Sequence, residues 1–347
     1  MVEAVVAISI ARCVYTSRLR LRKRSSHEIR FSSQDTDMTR LLLIVLIALA
    51  LGACQQSGAR PDRDFDTSVQ TPAYTASGPV VLLDEAHRNM HTAKGTYSPL
   101  ADLIRNDGYR VLRGREPISH SVLEGVNIVI IANALGTNER NDDHALSDAE
   151  CDRLLEWIRQ GGALLLITDH YPTGSAVANL ATRLGLSMSG GITEDSTSYD
   201  PRFDASHIVY RQLPAHPITR GVRSVLTFTG QSLSVPTGAT ALLPLGGKSV
   251  DRPAAPRVEH RGNDVLVHVE YGPGTSAAER AQAVAVELGR GRVVVFGEAA
   301  MASAQLSRYD GSPFGMNVDG YDNRQFVLNV MHWLSRHESA EQTDPSN

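Results

Sequence analysis

Four short runs of this 347-residue chain are almost wholly apolar: 80–83, 127–132, 163–168 and 292–296. A strand apolar on both faces has to be covered on both faces, which is the situation of a parallel sheet between helix layers. The segments between these runs supply the covers. An amphipathic helix over 97–105 carries Leu100, Leu103 and Ile104 and ends at Asp107-Gly108; a further strand follows at 109–112. Ser147 and Glu150 have the spacing of a capping box, opening a helix with Leu154, Leu155 and Ile158 on one face and Gly161-Gly162 at its end. Another helix is expected over 176–184. A closing helix over 322–335 carries Phe326, Val327, Val330, Met331 and Leu334. The expected class is therefore α/β: a doubly wound, flavodoxin-like, mostly parallel sheet with helices on both faces. Residues 187–290 are less regular and richer in β-type and turn residues, and are expected to add strands before the last core strand.

Ahead of this domain, the sequence from Met38 reads MTRLLLIVLIALALGACQQ. A basic start at Arg40, an apolar run from Leu41 to Leu51 and small residues before a cut are the parts of a secretory signal. The run is short for a bilayer-spanning helix, which needs about 20 apolar residues. The quartet Leu51-Gly52-Ala53-Cys54 resembles the bacterial lipobox, in which the Cys is diacylated and becomes the first mature residue. Cys54 is thus the expected lipid attachment. Gln55 after it resembles the default outer-membrane sorting pattern, so a periplasm-facing membrane lipoprotein is expected. Residues 1–37, with a basic cluster at Arg18, Arg20, Arg22, Lys23 and Arg24, do not fit in front of a signal. They are read as a start codon placed too early, with 38–53 the signal peptide, 54–78 a flexible tether, 79–336 the α/β domain and 337–347 a polar tail.

The leader distorts the charge balance. Residues 1–53 hold eight Lys or Arg against four Asp or Glu, so the remainder moves from −4 to −8. An acidic mature chain argues against nucleic acid as a partner. Of three cysteines, only Cys151 falls inside the domain, which excludes an internal disulfide and a cysteine-rich metal site.

In open parallel sheets, ligands sit beyond the carboxyl ends of the strands. After the first strand come Asp84, Glu85, His87 and His91; after the 163–168 strand, Asp169 and His170; after 292–296, Glu298. Asn323 opens the closing helix beside Asp322, itself a candidate cap. Asp169, His170 and Glu298 are the candidate catalytic residues. Asp84, Glu85, His87, His91 and Asn323 are candidate ligand-binding residues. A carboxylate placed straight after a run of valines, as Glu298 is, must reach solvent in a cleft or be paired. His87 and His91 are four apart and would share a helix face, a spacing compatible with a metal. No metal or other cofactor is assigned from it.

Several motifs fail on inspection. Asp84-Glu85-Ala86-His87 spells a helicase signature, but no phosphate-binding G-x-x-x-x-G-K-[ST] loop exists. Gly246-Gly247-Lys248-Ser249 lacks the upstream glycine. There is no G-x-S-x-G elbow, and Cys151 lies in the first turn of a helix instead of at a strand-to-helix turn, so neither acts as a nucleophile of the usual kind.

The stretches LLDEAHRNMHTAKGTYSPLADLIRNDGYRV, LLLITDHYPTGSAVANLATRLGL, HPITRGV and VVVFGEAAMASAQ, followed by GMN and DNRQFVLNVMHWLS, resemble an uncharacterised bacterial lipoprotein domain family. That family is of the class I glutamine amidotransferase-like fold, alongside trehalose-utilisation-type domains. The resemblance spans about residues 79–336. It implies a flavodoxin-like sheet and no glutaminase activity, because the nucleophilic Cys of true amidotransferases has no match; Asp169-His170-Tyr171-Pro172 stands at the corresponding strand end.

Three functions follow for such a chain. The first is a small-molecule site for a carbohydrate or cell-envelope fragment at the strand ends, with hydrolysis as its natural chemistry. The second is a non-catalytic binding or scaffolding lipoprotein of an envelope complex. The third is a metal-dependent hydrolase using His87, His91 and a carboxylate. All three share the anchor, and Cys54→Ser is expected to move the protein from the membrane to the soluble fraction on cell fractionation. A variant that still sediments with membranes would overturn the lipid attachment.

Overall fold

The computed structural model describes residues 8–9, 58–137, 143–261 and 264–337. The signal segment and Cys54 lie outside them. Among the described residues no helix is long and apolar enough to cross a membrane.

The apolar runs become strands of one seven-stranded sheet. They are β1 (Val80–Asp84), β2 (Arg110–Gly114), β3 (Ile128–Ala132), β4 (Ala163–Ile167), β5 (Thr240–Pro244), β6 (Ala281–Leu288) and β7 (Gly291–Phe296). Their order across the sheet is β5-β6-β7-β4-β3-β1-β2. From β2 to β7 every neighbouring pair is parallel, with Val81 opposite Val111 and Ile128, and Leu164 opposite Val129 and Val293. Only β6 and β5 run antiparallel to their neighbours. All residues of β1, β3 and β4 are buried, as continuous apolar runs require. The edge strand β2 is the exception. Arg110 and Leu112 are exposed, and the charges of Arg110 and Arg113 discourage pairing with another strand.

Side-chain alternation splits the core in two. Val81, Leu83, Ile128, Ile130, Leu165, Val294 and Phe296 face a layer containing α1 (Ser98–Asn106) and the last helix, α5 (Asn323–Leu334). Leu82, Val129, Ile131, Leu164, Leu166, Val293 and Val295 face the other layer. That layer contains α2 (His120–Leu123), α3 (Asp148–Arg159) and α4 (Ala178–Arg183). A one-residue slip of any strand would exchange these two sets, so register is set by burial. The capping box at α3 is present, with Ser147 Oγ accepting from the Glu150 amide and Glu150 accepting from the Ser147 amide. The 176–184 segment starts one turn as a 3-10 helix (Ser175–Val177) before becoming α4. Asp322 does not cap α5 with its side chain; it accepts instead from the amides of Arg223 (2.8 Å) and Ser224 (3.2 Å).

Residues 58–78, expected as a free tether, lie against the domain. Ala59–Pro61 pairs antiparallel with Ala304–Ser307. Phe65, Val69 and Tyr74 pack on the core, and Tyr74 meets Tyr109 edge-on at 5.1 Å. Asp107, fully buried at the end of α1, accepts from the Ala73 amide (2.8 Å) and faces His332 Nε2 at 2.7 Å. The polar composition of 58–78 concealed these few apolar contacts. Residues 187–290 hold the expected extra strands. Ser249–Arg252 pairs with Ile192–Asp195 and Thr275–Ser276, and a hairpin runs from Ala254–Arg261 to Asp264–Tyr271.

The end of β1 is tied to the start of α3 by an ion cluster. His87 Nδ1 lies 2.8 Å from Asp84 Oδ2, and its Nε2 lies 3.0 Å from Glu150 Oε1. Glu150 also accepts from the Ile118 amide at 2.9 Å. Burial opposes a charge on His87, but Asp84 and then Glu150 outweigh it and raise its pKa. Glu150 is held down, at about 2, against its own burial, by the Ser147 hydroxyl and amide first and then by His87 and the Ile118 amide. A raised histidine pKa stabilises the fold fully below its unfolded value near 6.5, and the gain is lost as pH rises through the folded value. His87→Ala, which strands two buried carboxylates, is expected to destabilise by about 3–5 kcal/mol in acid. The loss should be smaller at pH 9 than at pH 6 in thermal unfolding; an equal loss at both would show that the imidazole is not charged in the fold.

Candidate functional site

Two adjacent strand ends build the site. Thr168, fully buried after β4, donates its amide (2.9 Å) and hydroxyl (3.0 Å) to Phe296 O at the end of β7. This locks the two exits side by side, so Asp169 leaves one strand where Gly297-Glu298 leaves the other. Glu298 turns inward. Its Oε1 accepts from the Ala300 amide at 2.5 Å and its Oε2 from the Met301 amide at 2.8 Å, bracing the 3-10 turn Ala300–Ala302. The preceding amide, Ala299, approaches the Asp169 carboxylate and favours its ionised form. Three successive N–H groups thus serve two carboxylates. Gly230 passes so close that a Cβ there would sit 2.6 Å from Glu298 Cβ, and its neighbour Thr229 is held at φ +58°. A β-branched residue rarely adopts that conformation.

Around the pair stand further polar groups. Gln231 Nε2 donates to Thr168 Oγ1 (3.0 Å) and to the Asp169 carbonyl (2.7 Å), fixing the backbone under the carboxylate. Tyr97 donates its hydroxyl to Ala299 O at 2.7 Å. His91 stacks on the Tyr97 ring, centroids 4.4 Å apart, and its Nδ1 lies 2.6 Å from Thr96 Oγ1. His170 donates its amide to Asp169 Oδ1 (2.7 Å), its Nε2 is 3.7 Å from the same oxygen, and Tyr271 Oη reaches its Nδ1 at 3.4 Å.

Burial dominates the electrostatics. It pushes Asp169 up to about 6, against the nearby His170 charge and the amides of His170, Ala299 and Asn133. It raises Glu298 well above the carboxylate range, and the neighbouring Asp169 charge adds to the effect. Two like charges braced by one turn cannot both ionise cheaply, so the pair titrates as a unit with one proton retained. His91 falls to about 4 through burial and is neutral. Tyr97 is held as a phenol by burial and by both carboxylates.

The two acids differ in access. Glu298 is completely buried, whereas the Asp169 side chain keeps 17% of its surface and His170 25%. Asp169 is therefore the group that can touch a ligand. Glu298 is sealed and holds the turn through the Ala300 and Met301 amides. A half-open carboxyl with a pKa near neutrality is suited to general acid or base work.

The remaining sequence candidates have structural duties. Asp84 and His87 belong to the ion cluster with Glu150. Glu85 accepts from Arg113 Nε at 2.8 Å and from the Ala93 amide at 2.9 Å. Asn323 spends its amide on Leu226, accepting at 2.9 Å and donating at 2.7 Å, which clips α5 to the strand Val225–Leu226. His87 and His91 lie in the loop after β1, not on a helix, and both nitrogens of His87 are engaged. That correction removes the helical reasoning for a metal. Among the described residues no group of three or more His, Cys, Asp or Glu is arranged to hold one. Asn133, Tyr97, Gln231 and Tyr271 were missed. Asn133 directly follows β3, and the strand-end rule applied to that strand would have found it.

No protein-family model matches this chain, and no curated protein does. Solved structures do. The mmIFT52 N-terminal domain is 19% identical, covers 74% of this chain and 97% of its own, with a TM-score of 0.49. A cytoplasmic protein from Salmonella typhimurium is 12% identical over 74% and 98% (TM-score 0.39). A ThuA-like protein from Bacteroides uniformis is 11% identical over 79% and 95% (TM-score 0.36).

A carboxyl whose folded pKa lies above its unfolded value near 3.9 favours the fold below that value. The benefit is lost as pH rises through about 6. Asp169→Asn removes this term, so the variant should gain about 2–3 kcal/mol relative to the wild type between pH 4 and pH 8. Thermal unfolding at the two pH values checks it, and a constant difference between the proteins would show Asp169 to titrate normally.

Proposed function

We propose that this chain is an envelope lipoprotein, held at the outer membrane through Cys54, whose domain binds and hydrolyses a small carbohydrate or cell-envelope fragment at Asp169. The domain is read as doubly wound and flavodoxin-like, of the class I glutamine amidotransferase-like type. The signal-like run before Cys54 supports the anchor. What supports the site is a partly exposed Asp169, pushed up to about 6 by burial, beside a sealed Glu298 whose carboxyl is pushed up further by burial and by the Asp169 charge.

In this reading, Asp169 takes a proton from a water molecule as its oxygen attacks the electrophilic carbon of the bound fragment. The bond to the leaving oxygen breaks, and Asp169 returns the proton to that oxygen. His170 and Tyr271 line the same side and steady the ligand. Glu298 touches nothing that reacts; its retained proton keeps the charge of the pair at one. Incubating the full chain with cell-envelope glycan fragments should yield products that have gained one water by mass spectrometry. Asp169→Asn should slow their formation at least about 100-fold, the scale of general acid–base catalysis. Absence of product from the wild type, or equal rates for the variant, would remove the hydrolytic reading.

A further inference from the structure

Asn133 is buried to 97%, and its Oδ1 has no hydrogen-bond partner among the described residues. Buried polar atoms of this kind are almost always paired, so each exception calls for an explanation. The residue also sits at φ +45°, in the left-handed region. Asn tolerates that region better than most residues, though at some cost. The backbone enforces it: the Asn133 amide donates to Ile167 O at 2.9 Å, while its carbonyl accepts from the Met90 amide at 3.0 Å. The side chain is thereby set beside the Asp169 carboxylate, close enough for its amide to favour the ionised form.

We infer that Asn133 and Asp169 together form a subsite for the hydroxyl groups of a sugar or other polyol, with Asn133 Oδ1 accepting from one hydroxyl and the Asp169 carboxylate from its neighbour. The inference rests on Asp169 marking the small-molecule site and names the ligand class that site takes. The surrounding groups argue for hydroxyls over an ammonium. The amide of Asn133 and the phenol of Tyr271 can each donate as well as accept, and a hydroxyl does both, whereas an ammonium only donates. Tyr271 also brings a partly exposed aromatic ring, 6.5 Å from the His170 ring, against which the C–H face of a sugar can lie.

The test uses the full chain and saturation-transfer NMR with D-glucose, D-galactose, D-mannose and N-acetyl-D-glucosamine, with putrescine as the ammonium probe. At least one sugar should bind the wild type. Asn133→Gly, which keeps the left-handed backbone and deletes the amide, should weaken that sugar tenfold or more while unfolding as cooperatively as the wild type. Asn133→Asp, which keeps an acceptor oxygen, should retain more of the binding than the glycine variant. Sugar binding unchanged in Asn133→Gly but lost in Asp169→Asn would overturn the role of Asn133 and leave the Asp169 site standing. Putrescine binding without any sugar, or no sugar bound at 50 mM (about a hundred times the level at which a useful site fills), would overturn the ligand class. Hydrolysis of envelope fragments by a protein that binds no simple sugar would likewise overturn the subsite without touching the acid–base reading.

Discussion

A backbone turn that follows a parallel strand has N–H groups and nothing in the sheet to give them to. In this protein the turn after β7 gives two of them to Glu298 and presents a third to Asp169. Everything about the site depends on that bracing. The strands must be apolar on both faces for the two exits to be buried, Thr168 must lock β4 to β7, and Gly230 must lack a side chain for Glu298 to fit. The same burial that stabilises the sheet makes two carboxyl groups hard to ionise together. The stability cost and the raised pKa of both carboxyls therefore have one cause.

The frame was legible because parallel strands write themselves as unbroken apolar runs. The four runs, with the strand at 109–112 and the amphipathic segments between them, give the parallel part of the sheet and most of its helices to within a residue or two at each end, whereas Thr240–Pro244 and Ala281–Leu288 were not placed individually. Asp169 and Glu298 were legible as acids directly after apolar strands, and the structure sets the two strand exits side by side. The helical pairing of His87 and His91 was not, because spacing alone does not distinguish a helix from a loop that happens to place residues four apart. Asn323 looked like a ligand for being polar at a helix start, yet such positions also supply the clips that fasten helices to neighbouring strands. Asn133 escaped notice because an amide carries no charge to mark it, and its strain becomes visible only with the backbone.

Charge is used here in two opposite ways. At Asp84, His87 and Glu150 a cation sits between two anions and all three are paired, so burial is compensated and the cluster is a joint between β1 and α3. At Asp169 and Glu298 burial and the like charge of the pair outweigh the amides and the His170 interaction that oppose them, and both carboxyls are pushed up. The contrast separates a structural polar cluster from a chemically poised one more clearly than residue types do, since both sets were acids and histidines after apolar strands.

The strand Ala59–Pro61 has a mechanical consequence. It is paired to Ala304–Ser307, which begins immediately beyond the turn that braces both acids. On the proposed attachment at Cys54, only a handful of residues separate the lipid from this pairing, a fully extended reach of about 18 Å. The domain would ride close above the bilayer instead of searching the periplasm on a long leash. Any pull between membrane and domain would be borne by a strand pair hydrogen-bonded next to the turn that braces Glu298.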